Sequence, residues 1–219
     1  PLGHSLSPQI HTRLFELSGE TVEYKLYDIA PEDLNGKFGF LAELDGFNIT
    51  IPHKVDIIGY CDKLSEGAER YRSVNCLKNG VEKIGYNTDV LGFTKSIELL
   101  GASLRSKVLL IGCGGVGRMM AIETALEGGD LTVAALKSDL PLAENDEKEQ
   151  LEGVKFLFDA VYNPKDTLLA KTAREKGAKA MTGMAMLVLQ AVAAHEIWDN
   201  AHYNNEDIDK LISDMEALV

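Results

Sequence analysis

One stretch constrains this chain more than any other. Lys107–Ile111 is a short apolar run, and residues 112–117 then read Gly-Cys-Gly-Gly-Val-Gly. Five such residues suit a strand buried on both faces. Residues 118–126 carry a helical pattern that Gly128-Gly129 would stop. A second apolar run at 131–135 completes a parallel βαβ unit. Gly112, Gly114, Gly115 and Gly117 sit where a strand hands over to a helix, and without Cβ atoms they let backbone N–H groups approach a pyrophosphate. A Rossmann-like dinucleotide-binding domain is therefore expected here. Cys113, inside the turn, reads as a small packing residue rather than a nucleophile.

The N-terminal part reads as a separate α/β layer. Ser7-Pro8 opens a helix to about residue 17, with proline in the first turn, where a missing N–H costs nothing. Residues 22–29 alternate in polarity like a strand, Pro31 opens a second helix, and 47–51 is a strand stopped by Pro52. Two strand-like runs, 74–77 and 81–86, flank Asn79-Gly80, a hairpin signal. Helical patterns return at 90–100 and across 184–219, where 206–218 is amphipathic. The expected division is a substrate domain of residues 1–90 completed by helices in 184–219, and a dinucleotide-binding domain of 91–183. Residues 136–152 are polar with no strand signal, and the acidic run 144–149 reads as a solvated loop or helix face. Three apolar strands in the middle are few for a dinucleotide-binding sheet, and the chain starts at Pro1 without methionine. Both features suggest that stretches of the full protein are missing from this sequence.

Composition narrows the partners. At 45% hydrophobic residues, the 219-residue chain can bury a sizeable core. Against 34 acidic side chains stand 22 lysines and arginines, a net charge of −12. That surface disfavours nucleic acid and anionic membranes, which need a positive field. No apolar run approaches the ~20 residues of a membrane span, and the start does not resemble a signal peptide. Three scattered cysteines fit a reducing, cytoplasmic setting. The five histidines show no metal spacing, so no metal is expected. A small-molecule partner and a monomer or homodimer are the remaining expectations.

Seven motifs follow one another across the chain: Gly3-His-Ser-Leu-Ser-Pro8-Gln-Ile-His11, Asn48-Ile-Thr-Ile-Pro-His-Lys54, Ser73-Val-Asn75, Gly85-Tyr-Asn-Thr-Asp89, the glycine turn, Phe158-Asp-Ala-Val-Tyr-Asn-Pro164 and Gly183-Met-Ala-Met-Leu-Val-Leu-Gln190. This set resembles the shikimate dehydrogenase family, which includes quinate/shikimate dehydrogenases. The resemblance implies NADP-dependent reduction of 3-dehydroshikimate to shikimate in the route to aromatic amino acids. It also implies two α/β domains with the active site in the cleft between them.

Reducing a ketone needs a proton donor beside the oxygen. Lys54, after a strand and a Pro-His turn, can polarise a carbonyl and deliver a proton as an ammonium, then take one back as an amine. Asp89 can hold that lysine by a charge-assisted hydrogen bond. The resemblance makes Lys54 and Asp89 the catalytic pair. It assigns Ser5 and Ser7 to the substrate carboxylate, although either hydroxyl could simply cap the helix. By the same resemblance Thr50, Asn75 and Gln190 bind substrate hydroxyls, and Tyr162 adds a hydrogen bond near the carboxylate, with a half-buried strand tyrosine as the plain alternative. Gly183 and Met186 would lie near the nicotinamide, where a thioether packs against a ring; helix packing explains Met186 equally well.

The chain also departs from the family. No acid ends the second strand, which disfavours NAD, but no arginine follows to grip a 2′-phosphate. The family's Asn-Arg-Thr-like and Asn-Ala-Thr-Pro-like stretches are absent, as is its opening strand. NADP is the expected cofactor, ahead of NAD. Two rival readings remain: a quinate/shikimate dehydrogenase, against which serine at both Ser5 and Ser7 speaks, and a non-catalytic ligand sensor, which has no need of a Lys54–Asp89 pair.

Overall fold

The computed structural model describes residues 2–3, 5–112, 114–134 and 153–219. The readings of Cys113, of 136–152 and of the acidic run 144–149 lie outside them. The chain divides into two compact units. Unit 1 holds Pro1–Leu91 and Gln190–Met215, and unit 2 holds Gly92–Leu189 and Glu216–Val219. Among the described residues, no helix is long and apolar enough to cross a membrane, and no cluster of His, Cys, Asp and Glu could hold a metal ion.

Unit 1 begins with α1 (Ser7–Ser18) and a 3-10 turn (Pro31–Asp33) that leads into α2 (Leu34–Leu41). Its sheet contains β1 (Gly46–Asn48), β2 (Lys63–Leu64), β3 (Cys76–Lys78) and β4 (Ile84–Tyr86), in the order β1-β3-β4-β2. The β1–β3 and β3–β4 pairs are antiparallel, and β2 runs parallel to β4. Leu34, Leu41, Ile49, Ile57, Ala68, Val74 and Leu77 form the buried core of this unit; α3 (Glu66–Tyr71) supplies Ala68 and is capped by the Ser65 hydroxyl, which accepts from Ala68 N–H.

Two expectations fail here. Residues 22–29 form no strand. Their polarity alternates, but β1 pairs with β3 and no ladder includes the segment; an alternating pattern without a partner strand is only extended chain. The hairpin exists, but Lys78 pairs with Ile84, so its connection is longer than an Asn-Gly turn. The Asn79 side chain donates to the carbonyls of Leu41 and Leu44 at 2.9 and 2.6 Å, tying the loop to the end of α2 instead.

In unit 2, β5 (Lys107–Ile111), α5 (Gly115–Leu126) and β6 (Asp130–Ala134) make the expected parallel βαβ unit, paired from Lys107↔Asp130 to Ile111↔Ala134. A second such unit, β7 (Phe156–Asp159), α6 (Leu168–Glu175) and β8 (Lys179–Thr182), repeats the pattern. Thr167 caps α6, accepting from Ala170 N–H at 3.1 Å while its hydroxyl donates to Asp159 at 2.7 Å.

Helices α4 (Asp89–Leu100) and α7 (Met184–Asp199) each have residues in both units. The last helix is α8 (Asn205–Glu216). Within unit 1 the α7 segment is pinned to the sheet. Trp198 Nε1 donates to Leu77 O at 3.0 Å, and the Lys78 ammonium donates to Ile197 O and Trp198 O, a cation at a helix C-terminus where the dipole favours it. Gly46 is required there, because a Cβ would collide with Trp198 Nε1.

A buried polar chain joins α1 to α7. The Tyr203 hydroxyl donates to Leu14 O at 3.1 Å, so its oxygen accepts from His195 Nδ1–H at 3.0 Å. His195 Nε2 is then the acceptor for His11 Nδ1–H, also at 3.0 Å. That order leaves His11 Nε2 bare, and it is buried without a partner. Burial pushes His195 down to about 4 and, with His195 as the second cause, holds His11 well below the usual histidine range.

Candidate active site

Lys54 and Asp89 are 35 residues apart in sequence and touch in space: Lys54 Nζ donates to Asp89 Oδ2 at 2.7 Å, with side chains 21% and 17% exposed. The path between them is built by the sheet. Ile49 N–H donates to Asn75 O at 2.8 Å, Asn75 N–H to Tyr86 O at 3.0 Å, and Val74 N–H to Lys54 O at 2.8 Å. After β1 the chain turns sharply: His53 N–H closes onto Thr50 O at 3.0 Å around a cis Ile51-Pro52 bond. A cis proline at the third position is the mark of a type VI turn, and this one sets Thr50 and Lys54 on its two flanks.

Asp89 is the first residue of α4, where the helix dipole favours a carboxylate. Its N–H donates to Asn87 Oδ1 at 3.1 Å, and Asn87 is anchored through Nδ2 to Ser73 O. Asn75 Nδ2 donates to Asp89 Oδ1 at 2.9 Å and to Thr88 Oγ1 at 3.0 Å. Both amide hydrogens of Asn75 are thus engaged, and its Oδ1 accepts from Thr88 N–H at 2.7 Å. The Thr88 hydroxyl also lies 3.3 Å from Gln190 Oε1, which links α7 to the same network.

Ser5 and Ser7 sit at the start of α1 with no capping side chain, because Leu6 holds the N-cap position. Ser7 N–H donates to Ser5 Oγ at 3.3 Å. The Ser7 hydroxyl is hydrogen-bonded to the Tyr24 phenol, which burial pushes upward in pKa. Tyr24 OH donates to Asn48 Oδ1 at 3.1 Å, and its ring stacks on His11 at 4.2 Å. The structure therefore gathers Lys54, Asp89, Asn75 and Gln190 into one network within unit 1. Ser5 and Ser7 belong to the same unit, beside Tyr24 and Asn48.

The other candidates lie in unit 2, at the carboxyl ends of parallel strands, where ligands of open α/β sheets are held. Gly112 follows β5 with φ +88°, a backbone conformation that suits glycine. A Cβ on Gly117 would stand 2.6 Å from Gly112 O, so that glycine lets α5 start tight against the turn. Gly114 and Gly115 meet nothing within 4 Å; their openness leaves the first N–H groups of α5, which has no capping side chain, accessible to an anion. Tyr162 is half-buried in the loop after β7. That loop is clamped to Gly183, whose N–H donates to Val161 O at 2.9 Å and whose Cβ would collide with Ala160 O. Met186, in the first turn of α7, is 8% exposed, as helix packing requires.

Sequence reading missed Tyr24, Asn48 and Thr88. Asn48 and Thr88 stand inside the quoted motifs, so their signal was present but unassigned. Tyr24 has no such signal, because its contacts depend on where an irregular segment lies.

The shikimate dehydrogenase substrate binding domain profile matches residues 1–77. The shikimate dehydrogenase (NADP(+)) of Caldanaerobacter subterraneus subsp. tengcongensis is 32% identical, over 94% of this chain and 91% of that protein. A chorismate mutase/shikimate 5-dehydrogenase fusion protein from Clostridium acetobutylicum matches with a TM-score of 0.91 at 27% identity, covering 100% of this chain and 95% of that one. Shikimate 5-dehydrogenase from Thermus thermophilus, solved in complex with shikimate, gives 0.85 at 25% identity, with 99% and 96% covered. These comparisons put the chain in a class of α/β oxidoreductases. It belongs to the shikimate dehydrogenase family.

Proposed function

We propose that the chain catalyses the reversible, NADP-dependent reduction of 3-dehydroshikimate to shikimate. The observation that carries the reading is the 2.7 Å contact between Lys54 Nζ and an Asp89 carboxylate that Asn75 already holds. As an ammonium, Lys54 donates its proton to the oxygen of the ketone during reduction; as an amine, it recovers one from the alcohol during oxidation. Asp89 keeps the amine aligned and stabilises its positive charge. Ser5 and Ser7 donate to the substrate carboxylate beside the start of α1. Thr50 and Gln190 meet ring hydroxyls, and Asn75 acts on the substrate side chiefly by fixing Asp89.

The residues of unit 2 fit a dinucleotide. Gly112 and Gly117 make the tight turn, Gly114 and Gly115 leave room for a pyrophosphate at the start of α5, and Gly183 and Met186 would hold the nicotinamide. Bound NADP supplies or accepts the hydride.

Absorbance at 340 nm, with shikimate and quinate each tested against NADP and NAD, is the direct test. The highest kcat/KM is expected for shikimate with NADP. A higher value with quinate would move the chain to the quinate/shikimate branch, and no turnover with any pair would overturn the reading.

A further inference from the structure

The turn that carries Lys54 runs between two core residues, Ile49 and Ile57, but its own apolar side chains bury little. Ile51 and Val55, on either side of it, are 81% and 61% exposed, and Pro52 is exposed as well. Between those anchors the contacts are polar: His53 N–H closes onto Thr50 O and Ile57 N–H donates to His53 O, each at 3.0 Å. On one side Lys54 O accepts from Val74 N–H. On the other, the His53 imidazole reaches back to the irregular segment before the 3-10 turn, with Nε2 2.7 Å from Ile29 O. A carbonyl only accepts, so Nε2 carries the proton and Nδ1 is bare. Nδ1 is buried and has no hydrogen-bond partner. A side chain that merely filled this space would not carry that unsatisfied lone pair; the Nε2 contact is what the imidazole adds. Ile29 packs against the unit 1 core, so its carbonyl is a firm anchor.

The two members of the proton-transfer pair are held unequally. The Asp89 carboxylate is fixed by Asn75 and by the start of α4, none of which involves the turn. The Lys54 ammonium stands on a flexible four-carbon stem whose origin is wherever the turn puts it. We propose that His53 is a positioning residue for proton transfer: its Nε2–H bond to Ile29 O fixes the turn that aims Lys54 at Asp89 and at the reacting oxygen. This rests on Lys54 being the proton donor of the proposed reaction. His53 acts through Lys54, and a turn displaced by ~1 Å is enough to cost about a hundredfold in rate.

The test uses the whole chain and two variants. His53→Leu removes the donor at similar volume, and His53→Gln keeps an N–H at similar reach. For shikimate oxidation, His53→Leu is expected to lower kcat by roughly tenfold or more with KM within about threefold, and His53→Gln to recover kcat to within about threefold of the unaltered chain. A second readout is independent of turnover: trinitrobenzenesulfonate labelling of Lys54, mapped by peptide mass. Labelling should be faster in His53→Leu, whose amine is freed from Asp89, and unchanged in His53→Gln. Equal kcat and equal labelling in all three proteins would overturn the proposal, as would a glutamine variant no better than leucine. If the unaltered chain turns over no substrate, the functional reading fails while the labelling result still decides the role of His53.

Discussion

In unit 1 the candidate residues are side chains locked by other side chains; in unit 2 they are mostly backbone positions at the ends of parallel strands. Asp89 alone draws on Asn75, Asn87 and Lys54, whereas Gly114 and Gly115 contribute by having nothing near them. The difference follows from the ligands proposed for each. A small hydroxylated acid must be told apart from its relatives by individually placed donors and acceptors. A pyrophosphate offers only charge, which a helix start and bare N–H groups satisfy. Damage should therefore be specific in unit 1 and fall chiefly on cofactor affinity in unit 2.

The sharpest break is Lys54→Ala. It should lower kcat by roughly 10²- to 10⁴-fold with little change in KM for shikimate, the signature of a group that acts in the transition state; unchanged turnover in the 340 nm assay removes Lys54 from the mechanism. Next comes acid sensitivity confined to unit 1. His195 titrates at about 4 in the folded chain and near 6.5 when unfolded. The unfolded state thus binds the extra proton first, and stability present above pH 6.5 is lost as pH falls toward 4. His195 alone contributes about 3 kcal/mol to that loss, and His11 shifts the same way. Urea unfolding followed through unit 1 fluorescence (Trp198) at pH 7 and pH 4 measures it, and His195→Phe should flatten the slope. Replacing Ser5 and Ser7 together by alanine should raise KM for shikimate roughly 10- to 100-fold, the loss of charge-assisted hydrogen bonds, while kcat changes little. The smallest effect separates the two glycine classes. Gly117→Ala, whose Cβ meets Gly112 O, should weaken NADP binding roughly tenfold and lower the melting temperature. Gly114→Ala should weaken binding without destabilising the fold, since no protein atom stands in its way. Calorimetric titration with NADP, alongside thermal melting, distinguishes them.

How much of this the sequence carried varied with the kind of feature. The βαβ unit around the glycine turn was legible because apolar runs and glycine spacing are local signals, and β5, α5 and β6 lie where the pattern puts them; the expected burial on both faces does not hold, since Leu109 is 45% and Val133 40% exposed. Lys54 and Asp89 were legible as motif members. The contact between them was expected from the resemblance, but the cross-strand hydrogen bonds through Asn75 and Val74 that bring the two together are encoded in no local pattern. The strand expected at 22–29 fails for the same reason: strand character depends on a neighbour. The His11–His195–Tyr203 chain was invisible too, joining residues up to 192 positions apart through burial alone.

The split of unit 1 across the sequence has a consequence for biosynthesis. A growing polypeptide exposes residues 1–91 early, but Gln190, His195, Trp198 and Tyr203 leave the ribosome only after all of 92–189 has been made. At translation speeds of about 5–20 residues per second, the first half waits several seconds with its sheet edge and the α1 face uncovered. The middle segment, nearly continuous in sequence, is free to fold in that interval. Residues 190–215 thus act as the closing piece of unit 1, and a nascent chain halted just before them would have most of unit 2 made and unit 1 unfinished.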